Sequence, residues 1–188
     1  MLEKLKNMLK GATKVVFMGI GEEKMADDGV GPYIISELLK YSNEKILFVN
    51  AGIDPMTRIE EIIKFHPSHL ILIDTCTFNG PPGTVAILKR KNICNYVPIS
   101  THTIPIYIVI DFIIEKLPRS NLKVFMIGIV PESLKGFTEL TQYKAGELSL
   151  EELSENENLP FFNFNLTETI KKVADKLILI LKEIIQIL

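Results

Sequence analysis

Apolar residues gather in four short, nearly unbroken runs: KVVFMGI at 14–20, KILFVNA at 45–51, HLILIDT at 69–75 and LKVFMIGIV at 122–130. Their length and β-branched character predict strands buried on both faces, because a half-exposed strand would alternate apolar with polar residues. A weaker run, TVAILK at 84–89, predicts a fifth strand. Between the runs the period changes. GPYIISELLKYS (31–42), PMTRIEEIIKFH (55–66) and IPIYIVIDFIIEKL (104–117) repeat apolar residues at intervals of three and four, which is helical spacing. Pro32 and Pro55 stand near the starts of the first two, where a helix tolerates a missing N–H. Strands alternating with helices imply a mainly parallel sheet covered on both faces. TVAILK follows the third strand after only the short NGPPG turn, so it is expected to run antiparallel. The fold class that results is α/β, a three-layer α/β/α sandwich around a mainly parallel sheet of about five strands.

Two later segments complete the pattern. SLEEL, with Ser149 and Glu152, has the spacing of a capping box and predicts a short helix within the irregular stretch 131–165. The same spacing at Asn165 and Glu168 places the start of a last helix. Its tail, KLILILKEIIQIL, is the most apolar part of the chain, but Lys182, Glu183 and Gln186 interrupt it well short of the ~20 residues a bilayer span needs. It reads as a core helix, with a self-association surface as the alternative. The opening stretch MLEKLKNMLKGATK spreads its lysines through an amphipathic pattern, unlike a signal peptide.

At 188 residues the chain suits one domain spanning 1–188. Its 47% apolar and 23% charged content is that of a globular protein. A formal charge of −2, with no basic stripe interleaved with aromatics, argues against a nucleic-acid partner. Cys76 and Cys94 form no CxxC pair, so neither a disulfide framework nor a zinc knuckle is indicated, and a cytoplasmic location follows as the simple inference.

In a parallel α/β sheet, groups placed just beyond the carboxyl ends of the strands converge on one crevice. Asp28 follows the first strand and its turn, Asp74 closes the third, and His102 lies in STHTIP before the helix at 104. Two carboxylates and an imidazole suit a divalent first-row metal and leave coordination positions open. Simpler readings compete. Asp27 or Asp28 can cap the following helix, Asp74 can end its strand in a turn, and His102 can be an ordinary surface residue. GIGEEK resembles the opening of a dinucleotide fingerprint, but Lys24 occupies the third glycine position and no acidic residue closes the second strand, so neither a nucleotide nor an organic cofactor is expected. His66 and His69 read as a solvated turn around Pro67, and Cys76 as a buried structural thiol in preference to a nucleophile.

Four stretches, GIGEEKMADDGVGP, HPSHLILIDT, STHTIPI and VFMIGIVPESL, occur in the order and at the separations found in the hydrogenase maturation endopeptidases, which the chain resembles over roughly residues 14–143. The resemblance implies an endopeptidase that trims the C-terminus of the large-subunit precursor of a nickel–iron hydrogenase after nickel insertion. It implies that Asp28, Asp74 and His102 contact a divalent metal, the nickel carried by the precursor, in an open pocket. Asp28 and Asp74 would then be the catalytic pair, and Asp27 a support for the turn or a cap for the helix. The metal would serve as a recognition handle, and once docked it could also polarise the scissile carbonyl or activate water. Two departures fall in the first loop: Glu22 replaces the usual Asn, and Ala26 replaces a Gly, which strains the backbone if φ is positive there. The stretch KGFTELTQYKAGELSLEEL departs from the usual connection and reads as a surface insertion or a specificity loop. A peptidase holding its own zinc and a non-enzymatic metal-handling chaperone are the alternative functions. The oligomeric state is not specified.

Overall fold

The computed structural model describes residues 1–93, 104–118, 120–134 and 165–188. The sheet consists of β1 (Val15–Ile20), β2 (Ile46–Gly52), β3 (His69–Thr75), β4 (Val85–Lys89) and β5 (Lys123–Ile129), in the spatial order β2-β1-β3-β5-β4. β1 pairs in parallel with β2 and β3, β3 pairs in parallel with β5, and β4 runs antiparallel at the edge. All five strands fall within about one residue of the apolar runs that predict them, and the antiparallel member is the expected one.

The unbroken apolar runs have a direct structural cause. Successive side chains point to opposite faces, and both faces of the sheet are covered. Val15 and Phe17 of β1, Ile71 and Ile73 of β3, and Ile127 and Ile129 of β5 enter one core. The alternate residues Val16, Met18, Leu70, Leu72, Val124 and Met126 enter the other. The first core is closed by α1 (Leu2–Met8), α2 (Val30–Leu38) and α6 (Glu168–Ile187); the second by α3 (Ile59–Phe65), α4 (Arg90–Ile93) and α5 (Ile106–Lys116). This is the three-layer α/β/α arrangement.

The helices depart from expectation at their ends. α2 tightens into a 3₁₀ turn over Leu39–Tyr41, and α3 is preceded by a 3₁₀ turn over Pro55–Arg58, whose start is capped by Asp54 accepting from the Met56 N–H at 3.2 Å. His66 ends α3 at φ 54° and is exposed. His69, expected in a solvated turn, is instead the first residue of β3 and buried, bonded through Nδ1 to Ser68 Oγ at 2.9 Å. Burial first, and the nearby Lys123 charge second, lower its pKa.

α6 begins at Glu168 with Thr167 as N-cap, two residues beyond the expected Asn165. Its buried stripe of Ile170, Ala174, Leu177, Ile178, Leu181 and Ile184 lies against α2 and the sheet, which makes it the expected core helix. Among the described residues, no helix is long and apolar enough to cross a membrane. The SLEEL helix, Cys94 and His102 lie outside the described residues.

Candidate active site

Strand order decides where a site can form. From β1 the chain passes through α2 to β2 at one edge, then returns through α3 to β3 on the other side of β1. After β3 the chain goes on to β4 at the opposite edge, so it leaves β1 and β3 in opposite directions and a crevice opens at their carboxyl ends. Asp28 and Asp74 both stand there.

Glycines let the turn after β1 fold back onto the strand ends. Gly21 has φ 134°, and a Cβ on it would sit 1.9 Å from the Asp28 carbonyl oxygen, so only glycine admits that approach. The Gly21 N–H donates to the Gly52 carbonyl at 3.0 Å, tying the turn to the end of β2. Ala26 adopts φ 48°, the positive value under which its replacement of glycine strains the backbone.

Asp28 is 1% exposed and Asp74 is fully buried. Asp28 Oδ2 accepts the Glu22 N–H at 2.8 Å, and Oδ1 accepts the Thr75 hydroxyl at 2.9 Å. The N–H of the same threonine donates to Asp74 Oδ1 at 2.7 Å. Thr75, itself fully buried, thus donates to both carboxylates, one through its side chain and one through its backbone. Strand alternation explains this: Thr75 shares the parity of Ile71 and Ile73 and faces the α2 side, whereas Asp74 has the opposite parity. Nothing in the sequence reading marked Thr75. The signal available was its place, one residue past a strand-end aspartate.

Around Asp28 and Asp74, backbone and hydroxyl donors occupy positions that water would take around exposed carboxylates. Neither Asp27 nor Asp28 caps α2, whose N-cap is Gly29 with no side-chain bond. Asp27, also fully buried, accepts backbone N–H groups from Glu132, Ser133 and Thr167. His102 lies outside the described residues, and among the described ones no group of three or more His, Cys, Asp or Glu side chains is placed to hold an ion.

Cys76 follows two residues after Asp74 and is fully buried, its sulfur packed where a Cβ at Gly128 would collide with it. Burial, with the Asp74 charge as a second cause, pushes its thiol up to about 12, so thiolate is scarce at neutral pH. This is the expected structural thiol.

A model of the hydrogenase maturation protease family, HycI, matches residues 32–150, a span that contains Asp74 and His102 and begins just after Asp28. A provisionally named hydrogenase maturation protease of Methanocaldococcus jannaschii is 32% identical over 140 residues, covering 70% of this chain and 80% of that protein. The hydrogenase 3 maturation protease of Escherichia coli K12 is 24% identical over 127 residues, covering 68% and 79%. Among solved structures, the [NiFe] hydrogenase maturation protease HycI of Thermococcus kodakarensis KOD1 shares the fold with a TM-score of 0.72 at 23% identity, covering 97% of this chain and 99% of its own. The E. coli hydrogenase maturating endopeptidase HybD does so at 0.57 and 19%, covering 90% and 93%. The family model spans more than half of the sequence and agrees with the fold built above, so the chain belongs to the hydrogenase maturation proteases, a family of peptidases.

Proposed function

We propose that this protein is an endopeptidase that removes a C-terminal extension from the nickel-loaded large-subunit precursor of a nickel–iron hydrogenase. The observation that carries the reading is the pair of buried aspartates, Asp28 and Asp74, brought to the switch point of the sheet and held from one threonine. Carboxylates that ligate metals are characteristically oriented by such donors. In this reading the precursor's nickel is part of the substrate, and Asp28, Asp74 and His102 recognise it. Both aspartates are closed off from solvent, so docking of the precursor has to uncover them.

Recognition of the metal sets the scissile peptide beside the carboxylates. Orientation of this kind is a large catalytic term in its own right. Peptide hydrolysis also needs a group that takes a proton from the attacking water. Asp28 or Asp74 qualifies once water comes within hydrogen-bond reach.

The test is to incubate the protein with nickel-loaded and nickel-free precursor and follow the mass of each. The nickel-loaded chain is expected to lose one fixed C-terminal mass, and the nickel-free chain none. Asp28→Asn and Asp74→Asn are each expected to abolish the loss. Cleavage that proceeds equally without nickel overturns the metal-handle reading. Nickel binding without any mass change would instead favour a chaperone.

A further inference from the structure

Asp27 has no part in the chemistry outlined above, yet its carboxylate takes four hydrogen bonds. Oδ2 accepts the N–H groups of Glu132 at 2.9 Å and Ser133 at 2.8 Å, and the Thr167 hydroxyl at 3.1 Å. Oδ1 accepts the Thr167 N–H at 2.7 Å. The Asp27 N–H donates in return to the Ser133 carbonyl at 3.1 Å. Three pieces of backbone therefore meet at one buried side chain: the β1–α2 turn, the stretch leaving β5, and the residue that caps α6.

The turn needs such an anchor. Ala26 holds a positive φ that an L-residue disfavours, and α2 starts from Gly29 with no side-chain cap. Asp27 and Asp28 are neighbours about 3.8 Å apart at Cα within one 3₁₀ turn, Ala26–Gly29, so a displacement of Asp27 also moves Asp28. The partner chemistry also specifies a carboxylate. All four partners are donors, which suits an acceptor-only group; an asparagine would turn its own NH₂ toward at least one of them.

We propose that Asp27 is a positioning residue for hydrolysis. It holds Asp28 in register with Asp74 by locking the β1–α2 turn to both ends of the chain between Ser133 and Thr167. The role in hydrolysis rests on the function proposed above, whereas the hold on the turn does not. One consequence is that a ligand which shifts Ser133 or Thr167 also shifts Asp28, linking the β5–α6 connection to the site.

Asp27→Asn keeps the side-chain shape while changing the donor pattern, and two readouts follow it. On nickel-loaded precursor, kcat/KM is expected to fall about 10- to 100-fold, because a displaced Asp28 is misplaced for both the metal and the scissile peptide. In hydrogen exchange followed by mass spectrometry, the segment 21–30, which includes the Glu22 N–H bonded to Asp28, is expected to lose protection while the cores of β1 and β3 keep theirs. Thr167→Ala is expected to move both readouts the same way by less, and Thr167→Ser to restore them. That pair carries the test if Asp27→Asn does not fold. Wild-type exchange over 21–30 in Asp27→Asn, or in Thr167→Ala where only that pair folds, overturns the proposal. So does a rate loss that merely tracks the unfolded fraction. If the wild-type protein leaves nickel-loaded precursor intact, the proposed hydrolysis fails and the catalytic role of Asp27 with it, while exchange still decides its hold on the Asp28 turn.

Discussion

Gly31 lies in the first turn of α2, where the helix crosses the carboxyl ends of β1 and β3. A Cβ there would stand 2.4 Å from the carbonyl oxygens of both Ile20 and Ile73, and 2.7 Å from the Ile20 nitrogen. Real Cβ contacts essentially never fall below 3.0 Å, so Gly31→Ala forces a retreat of about 0.6 Å. The obstacles are backbone atoms of two paired interior strands, which leaves the helix to move. Overpacking of this kind costs about 1–3 kcal/mol, and two rigid obstacles place it near ~3. Alanine's better helix propensity returns at most ~1 kcal/mol. The net loss is about 2 kcal/mol, or a Tm lower by ~4–8 °C for a chain of this size. The same retreat carries Asp28, three residues before Gly31, away from Asp74, which directly follows Ile73. An error of 1 Å can cost about 100-fold in rate, so about 0.6 Å is expected to cost on the order of tenfold. Urea denaturation and the initial rate on nickel-loaded precursor measure the two effects separately. A wild-type urea midpoint for Gly31→Ala would refute the close seating of α2 on the strand ends. A lowered midpoint with an unchanged rate would refute the claim that the Asp28–Asp74 geometry sets the rate.

Two further predictions follow from neighbouring groups. The Cys76 thiol ionises at about 12 in the folded protein against an ordinary value of 9.0; between those values the unfolded chain has released a proton that the folded chain retains, so stability falls as pH rises, by about 1.4 kcal/mol per unit from this group. Cys76→Ala is expected to lack that slope in urea titrations between pH 9 and 11, and equal slopes for the two proteins would contradict the assignment. Thr75→Val removes the hydroxyl bond to Asp28 and is expected to cost about 1.5–3 kcal/mol, as for a hydrogen bond to a charged group. Thr75→Ser keeps the hydroxyl and loses one buried methyl, about 0.8 kcal/mol, so a serine variant less stable than the valine variant would refute the role given to that bond.

The strands were legible because burial on both faces leaves short, continuous apolar runs whose length and β-branched content separate them from a buried helix. Helix ends were less so. GPYIISELLKYS carries one uniform period through Tyr41, and only the packing around it decides that the last turn tightens. Asn165 with Glu168 matches a capping box, but Thr167 caps α6 because its hydroxyl and its N–H are already fixed by Asp27. A partner so distant in sequence leaves no local trace. The same contrast divides the site. Asp28 and Asp74 could be found from topology, since any polar residue at a strand's carboxyl end is a candidate. Asp27 was legible as a support for its turn and Thr75 stood at a strand end, but what each one holds was not, because that depends on which way a strand residue faces and on which distant amides arrive.

The adjacency of Asp27 and Asp28 also has an energetic logic, which Ala26 brings out. An L-residue at positive φ costs roughly 1–2 kcal/mol, and glycine would avoid it. Hydrogen bonds from neutral donors to a charged acceptor contribute about 1.5–3 kcal/mol each, and Asp27 accepts four. Even with strong non-additivity, the clamp exceeds the strain beside it, so alanine can stand where the turn would favour glycine. The excess comes from a buried carboxylate already committed to four donors. A single aspartate at this turn would have to satisfy four fixed donors and still address a metal or a water, which one carboxylate cannot do in one orientation. Two neighbours on a tight turn separate the duties: one takes the distant backbone, and the other is left facing Thr75 and the end of β3.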